Sequence, residues 1–533
     1  MNLFLPNKSS YRMPPILFVF ITLFVAGIMV IPLVYLLLRI VQLSVEDLLV
    51  LVSSRAFHTL SRSLILMICV TTLSSIIALP LAWITARTDL RFRKIWTILV
   101  MLPLVIPSYV GAYIFLSVFG TTGLLQKALE IFFEIQRLPD IRGLFGATLV
   151  LSLLSYPYLF ITLRGAISGL DVSMEESSRI LGYSRFWTFM KVTLPQLRFP
   201  FVSGALLISL YTLSDFGAVS IFNYNTFSWT IYQQYNSLVD RSMSALFSII
   251  FVLLAFLIVL IEFKSRGFQK YYRIGSGISR KPKLIPLGFW KFPVYVFLFV
   301  VIGFALFLPI SMLGVWLLKG MYFGDSITFS WTPIFNSVLV SIISALLIVF
   351  FSFATAIILV RYSVTGNRLF ESISYLGFVL PGVVVAISVV YFAANYAGIL
   401  YQTTTLLVLA YVILFFPVAL GAIRSVLLQI NPRLEDAAHS MSQNYYNVLM
   451  RINLPLMRPG LIMAFAMVFL LVMKELPVTL ILGPLGFKTL ATEVWSFSSE
   501  AFFASAAIPA LMIILICSLP MLVIIIWDKR IGD

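Results

Sequence analysis

Cysteine and histidine are nearly absent from this chain. Its 533 residues hold two of each, Cys69 and Cys517, His58 and His439. Two thiols inside apolar stretches build neither a disulfide framework nor a Cys-rich metal site. Two separate histidines supply no ligand cluster, so no metal is assigned. No Gly-Lys dipeptide occurs, which excludes a phosphate-binding P-loop and leaves the chain unable to hydrolyse ATP alone. Neither His-Glu-x-x-His nor Cys-x-x-Cys is present, so a membrane enzyme has no candidate catalytic set. The largest deficit is charge. Only 11% of residues are Asp, Glu, Lys or Arg, against about 25% in soluble globular proteins. Hydrophobic residues make up 61% and the mean hydropathy is +1.03, values that belong to a bilayer-embedded chain.

What is there in abundance is apolar runs. They fall at about 15–40, 60–86, 96–120, 144–168, 199–222 and 244–263, then 291–318, 335–360, 370–396, 405–427, 458–483 and 504–527. Each is near the ~20 residues of a membrane-spanning helix, so an all-α integral membrane protein of about twelve spans is expected. The first run is longer than the apolar core of a signal peptide and reads as a retained span. With the N-terminus inside, 27 of the 37 Lys and Arg fall on cytoplasmic segments. The positive-inside rule supports that orientation, with both termini cytoplasmic. It also accounts for most of the net charge of +16, so nucleic acid is not needed as a partner. The stretch 264–290 carries Lys264, Arg266, Lys270, Arg273, Arg280, Lys281 and Lys283. It reads as a basic cytoplasmic linker lying against anionic membrane lipid.

That linker divides the chain into 1–263 (core about 60–263) and 291–533 (core about 333–527), and the two parts repeat. Ser63 with Ser337, Arg87 with Arg361, and Ile106-Pro107 with Leu380-Pro381 share an offset of 274. Pro157 with Pro417, Arg164 with Arg424, Leu194-Pro195 with Leu454-Pro455, and Asp215 with Glu475 share an offset of 260. Six spans per half is an even number, so both halves insert the same way up, related by a pseudo-two-fold axis along the membrane normal.

After the fourth span stands Asp171-Val-Ser-Met-Glu175-Glu176-Ser177-Ser178-Arg179-Ile-Leu-Gly182, and after the tenth Asn431-Pro432-Arg-Leu-Glu435-Asp436-Ala437-Ala438-His439-Ser-Met-Ser442. Each reads as a short cytoplasmic helix. Asp171 and Asn431 are suited to cap it, and Pro432 to its first turn. Glu175, Glu176, Glu435 and Asp436 complement the helix dipole. The small residues that follow allow close approach of another protein, and Gly182 or Ser442 lets the chain turn back. An ordinary amphipathic loop helix is the plainer reading, made weaker by the recurrence at matched places.

This pattern resembles the EAA loop of the inner-membrane permeases of type I ATP-binding-cassette (ABC) importers. The resemblance covers almost the whole chain, as two six-helix permease repeats fused head to tail. It implies that each loop is a coupling helix docking on a cytoplasmic ABC ATPase, present in two copies, which holds the ATP and Mg. This chain would bind no cofactor. A periplasmic substrate-binding protein would deliver substrate to a permease of the bacterial inner membrane. Ser177 and Ser178 stand where the family favours alanine, Asp436 replaces its glutamate and Ser442 its glycine. Ser214-Asp215-Phe216-Gly217-Ala218-Val219 and Lys474-Glu475-Leu476-Pro477-Val478-Thr479 look like the fused ferric iron permeases. So do Thr226-Phe227-Ser228-Trp229 and Thr489-Leu490-Ala491-Thr492-Glu493-Val494-Trp495. Fused thiamine permeases share the same plan.

Asp215, Lys474 and Glu475 lie inside apolar runs. An ionised side chain facing lipid costs on the order of 3 kcal/mol or more, so all three are expected to face the space between the halves. There they would line the pathway or its gate, or form a structural ion pair closing the outer end. Pro107 and Pro381 should interrupt their spans, and Trp and Tyr near span ends read as interfacial anchors. A twelve-span secondary transporter is the rival architecture. It would need coupling-ion residues at the midplane and gives the paired cytoplasmic helices no purpose.

Overall fold

The structure, a computed structural model, describes residues 15–42, 54–134, 137–170, 172–236, 241–265, 284–324, 329–362, 367–374, 377, 380–441 and 444–527. The described residues are almost entirely helical. In chain order the first repeat contributes α1 (Ile16–Gln42), α2 (Ser54–Arg87), α3 (Arg93–Met101), α4 (Ser108–Phe119), α5 (Leu144–Ser168), α6 (Val172–Ile180), α7 (Arg198–Ser214), α8 (Gly217–Ile221), α9 (Phe227–Asn236) and α10 (Arg241–Ser265). The second contributes α11 (Lys291–Ile302), α12 (Leu308–Phe323), α13 (Trp331–Arg361), α14 (Asn367–Ser374), α15 (Gly382–Tyr396), α16 (Thr404–Leu427), α17 (Pro432–Ser440), α18 (Leu454–Met473), α19 (Pro477–Leu482), α20 (Leu490–Ser499) and α21 (Phe503–Trp527). Helices α2 to α10 therefore recur in order as α13 to α21, while a further helix between α4 and α5, Leu124–Phe133, has no counterpart among the described residues of the second repeat. Ten helices among the described residues are long and apolar enough to cross a membrane. A pair bent by 61°, Phe186–Gln196 with α7, makes eleven if it is counted as one span, and α15 is a shorter apolar helix.

The expected runs are helical where described, but several are broken. Pro107 and Pro381 sit at the start of α4 and α15 with extended backbone, ψ 145° and 149°. A proline disfavours helical geometry in the residue before it, and Ile106 is extended accordingly, with ψ 123°. Pro157 and Pro417, by contrast, lie inside continuous helices α5 and α16. A single turn of π-helix occurs at Phe189–Thr193 and again at Leu449–Asn453, just before α7 and at the entry to α18. The extra residue in such a turn rotates the following helix relative to what precedes it.

Close packing in each repeat centres on a helix buried nearly all round. α5 packs on α2 and α7, and α16 on α13 and α18. Hydroxyls satisfy one another across the first contact, Ser74 Oγ lying 3.3 Å from Ser155 Oγ. Tyr156 donates to the Val100 carbonyl at 2.8 Å. Without a hydrophobic force between helices in lipid, small side chains and such bonds hold the bundle. The leading helices cross over. α1 lies against α13 and α15 of the second repeat as well as α10, while α11 reaches α2 and α3 and α12 reaches α4.

The basic stretch falls largely outside the described residues, but its end is placed. Ile285 N donates to the Arg87 carbonyl at 2.8 Å, and Asp89 N donates to the Ile285 carbonyl at 3.1 Å. Leu287 N donates to Asp89 Oδ1 at 2.8 Å. The lead-in to the second repeat is thus stitched to the end of α2.

Candidate functional site

α17 opens with Pro432, and Asn431 Oδ1 accepts from Arg433 N at 3.0 Å, the cap its sequence implies. Asp171 and Ser442 lie outside the described residues. Matched positions of α6 and α17 have matched exposure. Glu176 and Asp436 face solvent, as do Ser177 and Ala437, while Ser178 and Ala438 are buried. Gly182 has φ +89°, a left-handed conformation that favours glycine, and here the chain turns back. Beside α6 the side chains of Leu181, Trp187 and Met190 are exposed; beside α17 those of Met441, Tyr446 and Met450. Each short helix is thus flanked by exposed rings and methionines at one polar end of the bundle.

The first acid of each helix points the other way. Glu175 forms an ion pair with Arg87, which is 3% exposed at the end of α2, and Thr193 donates to the same carboxylate at 3.2 Å. Glu435 pairs with Arg361 Nε at 2.7 Å, and Arg361 Nη2 also donates to the carbonyls of Leu427 (3.3 Å) and Ile430 (3.1 Å). Arg87 and Arg361 carry one repeat offset and the two acids the other, yet they meet in the same way. Each pair joins the short helix α6 or α17 to the C-terminal end of the repeat's longest helix. The sequence contained both arginines as repeat markers; only the fold brings the acids to them.

At the far end of the bundle lie the intramembrane charges. α7 runs 17 residues to Ser214, about 26 Å at 1.5 Å per residue, and stops. Asp215 is extended, and its Oδ1 accepts from Ala218 N at 2.9 Å and Val219 N at 3.4 Å. It thereby caps α8. Glu475 stands at the equivalent break between α18 and α19, where its Oε1 accepts from Val478 N at 3.5 Å. An apolar run that read as one span is therefore two helices with a carboxylate between them. Helix starts leave N–H groups without partners, and in a membrane these need an acceptor. Lys474 crosses to the other repeat and donates to the Leu104 carbonyl at 2.9 Å. None of the three is in an ion pair with another within 4 Å, although each lies in the field of the others. The lysine bridges the repeats through a backbone carbonyl rather than through a carboxylate.

The approach here is tight. A Cβ on Gly217 would lie 2.8 Å from Tyr109 Cβ, and one on Gly382 2.9 Å from Glu475 Oε1. Phe216 packs on Trp229 and Tyr232 of its own repeat and on Trp495 of the other, with ring centroids 5.4, 4.6 and 5.3 Å away. Trp229 and Trp495 are thus part of the junction between repeats. Ser63 Oγ accepts from Phe227 N at 3.1 Å and Ser337 Oγ from Leu490 N at 2.7 Å, so the matched serines hold the starts of α9 and α20. Among the described residues no three His, Cys, Asp or Glu side chains converge as a metal site.

A family model described as "binding-protein-dependent transport system inner membrane component" matches the chain twice, at residues 78–266 and 348–533. An Fe(3+)-transport system permease protein of Haemophilus influenzae is 32% identical over 96% of this chain and 98% of its own. A ferric transport system permease protein of Actinobacillus pleuropneumoniae is 24% identical over 89% of this chain and 71% of its own. A molybdenum transport system permease protein of Escherichia coli is 29% identical over 30% of this chain and 71% of its own.

Proposed function

The chain belongs to the family of binding-protein-dependent transport system inner membrane components, and on that premise we propose that its two repeats form both halves of the channel of an ATP-driven importer of ferric iron. Substrate passes from periplasm to cytoplasm by alternating access. The observation that carries the reading is the duplicated arrangement at α6 and α17: an exposed acid and apolar rim outward, and an arginine–glutamate lock inward. Similarity along almost the full length to a ferric iron permease supports the substrate.

One ATPase copy, holding ATP and Mg, docks on Glu176, Ser177 and their neighbours, and a second on Asp436, Ala437 and theirs. Closure of the ATPase pair drives α6 and α17 together. Because Glu175 and Glu435 are tied to α2 and α13, the displacement passes to those helices rather than bending a loop. The two repeats, 1–263 and 291–533, then rock about the junction at Phe216, Trp495 and Lys474. Asp215 and Glu475 keep the broken helices formed there and favour a cation in the outer passage. A periplasmic binding protein delivers iron to that face, with both termini and the 264–290 linker on the cytoplasmic side.

The test is uptake of ferric iron by cells lacking this chain and complemented with it, with thiamine as a parallel control. Intact chain should restore iron uptake, and Glu176→Arg combined with Asp436→Arg should not, while also losing ATPase in a pull-down. Restoration of thiamine uptake instead would overturn the substrate and leave the importer. Unchanged iron uptake and ATPase capture in the double variant would overturn the docking assignment.

A further inference from the structure

α1 meets α15 of the opposite repeat along a shallow groove. Gly27, Val30, Ile31, Val34 and Leu38 form one wall, Tyr391, Phe392 and Tyr396 the other, around a cavity of about 140 Å³. That is close to the size at which apolar cavities accept a benzene-sized guest. The polar atom at its base, Ser388 Oγ, is already committed to the Val384 carbonyl at 2.7 Å. A Cβ on Gly27 would meet nothing within 4 Å, so the glycine opens the groove. The groove faces outward: Leu37, Val41 and Tyr396 beside it are 62%, 85% and 66% exposed.

Arg39 stands over one end. Its guanidinium carbon lies 5.7 Å from the Tyr35 ring centre and 5.1 Å from that of Tyr391. Nη1 donates to Gln42 Oε1 at 3.3 Å, and the Tyr35 hydroxyl is also bonded to the side chain. Nε is buried and without a hydrogen-bond partner, and no carboxylate pairs with Arg39 among the described residues. A guanidinium so placed on a membrane-facing helix calls for an anion, and its planar fork suits a phosphate. The opposite end of α1 is fixed by Phe18, whose ring packs 6.3 Å from that of Tyr445 beside α17. Arg39 is therefore at the end of α1 away from α17, which in the orientation proposed above is the outer face of the bundle.

The pseudo-equivalent junction, α12 against α4, is filled by protein. Trp316 packs on Phe503 at 5.0 Å, Tyr113 on Phe503 at 6.4 Å, and Phe119 on Phe304 at 6.2 Å. Rings occupy one crevice, and the other is left open under a cation.

We propose that the groove between α1 and α15 binds one phospholipid, its phosphate on Arg39 and an acyl chain along Gly27, Val30 and Val34. The orientation proposed above makes this a lipid of the outer leaflet. The bound lipid completes the contact between the first helix and the second repeat.

Native mass spectrometry of the full chain, released from nanodiscs of dioleoyl phosphatidylglycerol, tests this. The unaltered chain should carry one tightly retained lipid. Arg39→Gln should lower its retention about tenfold, the loss expected for a charge-assisted bond. Gly27→Leu, whose Cβ would meet nothing within 4 Å, should do the same by excluding the chain. Lys319→Gln on α12 should leave retention unchanged. Equal retention in Arg39→Gln, or in Gly27→Leu, overturns the proposal. Displacement of the lipid by millimolar glycerol 3-phosphate also overturns it, because the site would then be one for a free phosphate ester.

Discussion

The short helices α6 and α17 are held by the same pair of residue types in surroundings that differ. In the second repeat Arg361 spends its donors on Glu435 and on two carbonyls at the end of α16 and beyond, so the lock is contained within that repeat. In the first, Arg87 meets Glu175, while Nε and Nη1 find no hydrogen-bond partner among the described residues. Its backbone carbonyl instead receives Ile285, from the lead-in to the second repeat. One lock is anchored by its own bundle; the other is anchored partly by the opposite half. Duplication preserved the charge pair and left each copy free to find its own reinforcement.

Removing each arginine probes that difference most strongly. Truncating one member of a buried pair costs about 3–5 kcal/mol. Arg361→Ala, which strands Glu435 and two carbonyl acceptors, should lower the melting temperature of the purified chain more than Arg87→Ala. Equal losses would mean that the carbonyl bonds of Arg361 contribute nothing.

A smaller effect is expected from the strap. Ile285→Pro removes the N–H given to the Arg87 carbonyl, worth about 1 kcal/mol. It should weaken transport through the first coupling helix without altering the second. A double-mutant cycle with Glu175→Gln would show coupling in the first repeat, whereas a cycle with Glu435→Gln should be additive. Additivity in both would separate the strap from the lock.

The smallest difference should appear at the matched serines. Ser63→Ala and Ser337→Ala each free one N–H at the start of α9 or α20, costing about 1 kcal/mol apiece. Thermal shifts of similar size would show that the two repeats are equivalent at this end even where they differ at the other. A shift confined to one serine would extend the asymmetry through the whole bundle.

The repeat, the spans and the paired loop helices were legible because they rest on hydropathy, proline and short-range spacing. The breaks at Pro107 and Pro381 followed from proline, which turns the residue before it out of the helical region, as at Ile106. The breaks at Asp215 and Glu475 did not, since hydropathy averages over a single acid and the helix end is decided by what that acid caps. Glu175 stood beside Glu176 in an exposed-looking loop, and nothing local distinguishes the inward acid from the outward one. The arginine that claims it is 88 residues earlier. Trp229 and Trp495 stood in the two segments that carried the resemblance, but their contact with Phe216 depends on how the two repeats face each other.

The crossing of α1 onto the second repeat, and of α11 and α12 onto the first, gives the molecule an exchanged pair of arms. In the rocking proposed above, each repeat would carry a strut from the other on its flank. Continuity of the chain between 266 and 283 is not what keeps the halves together. A protease cut there should leave a nicked protein that still migrates as one particle and still moves as a geared pair.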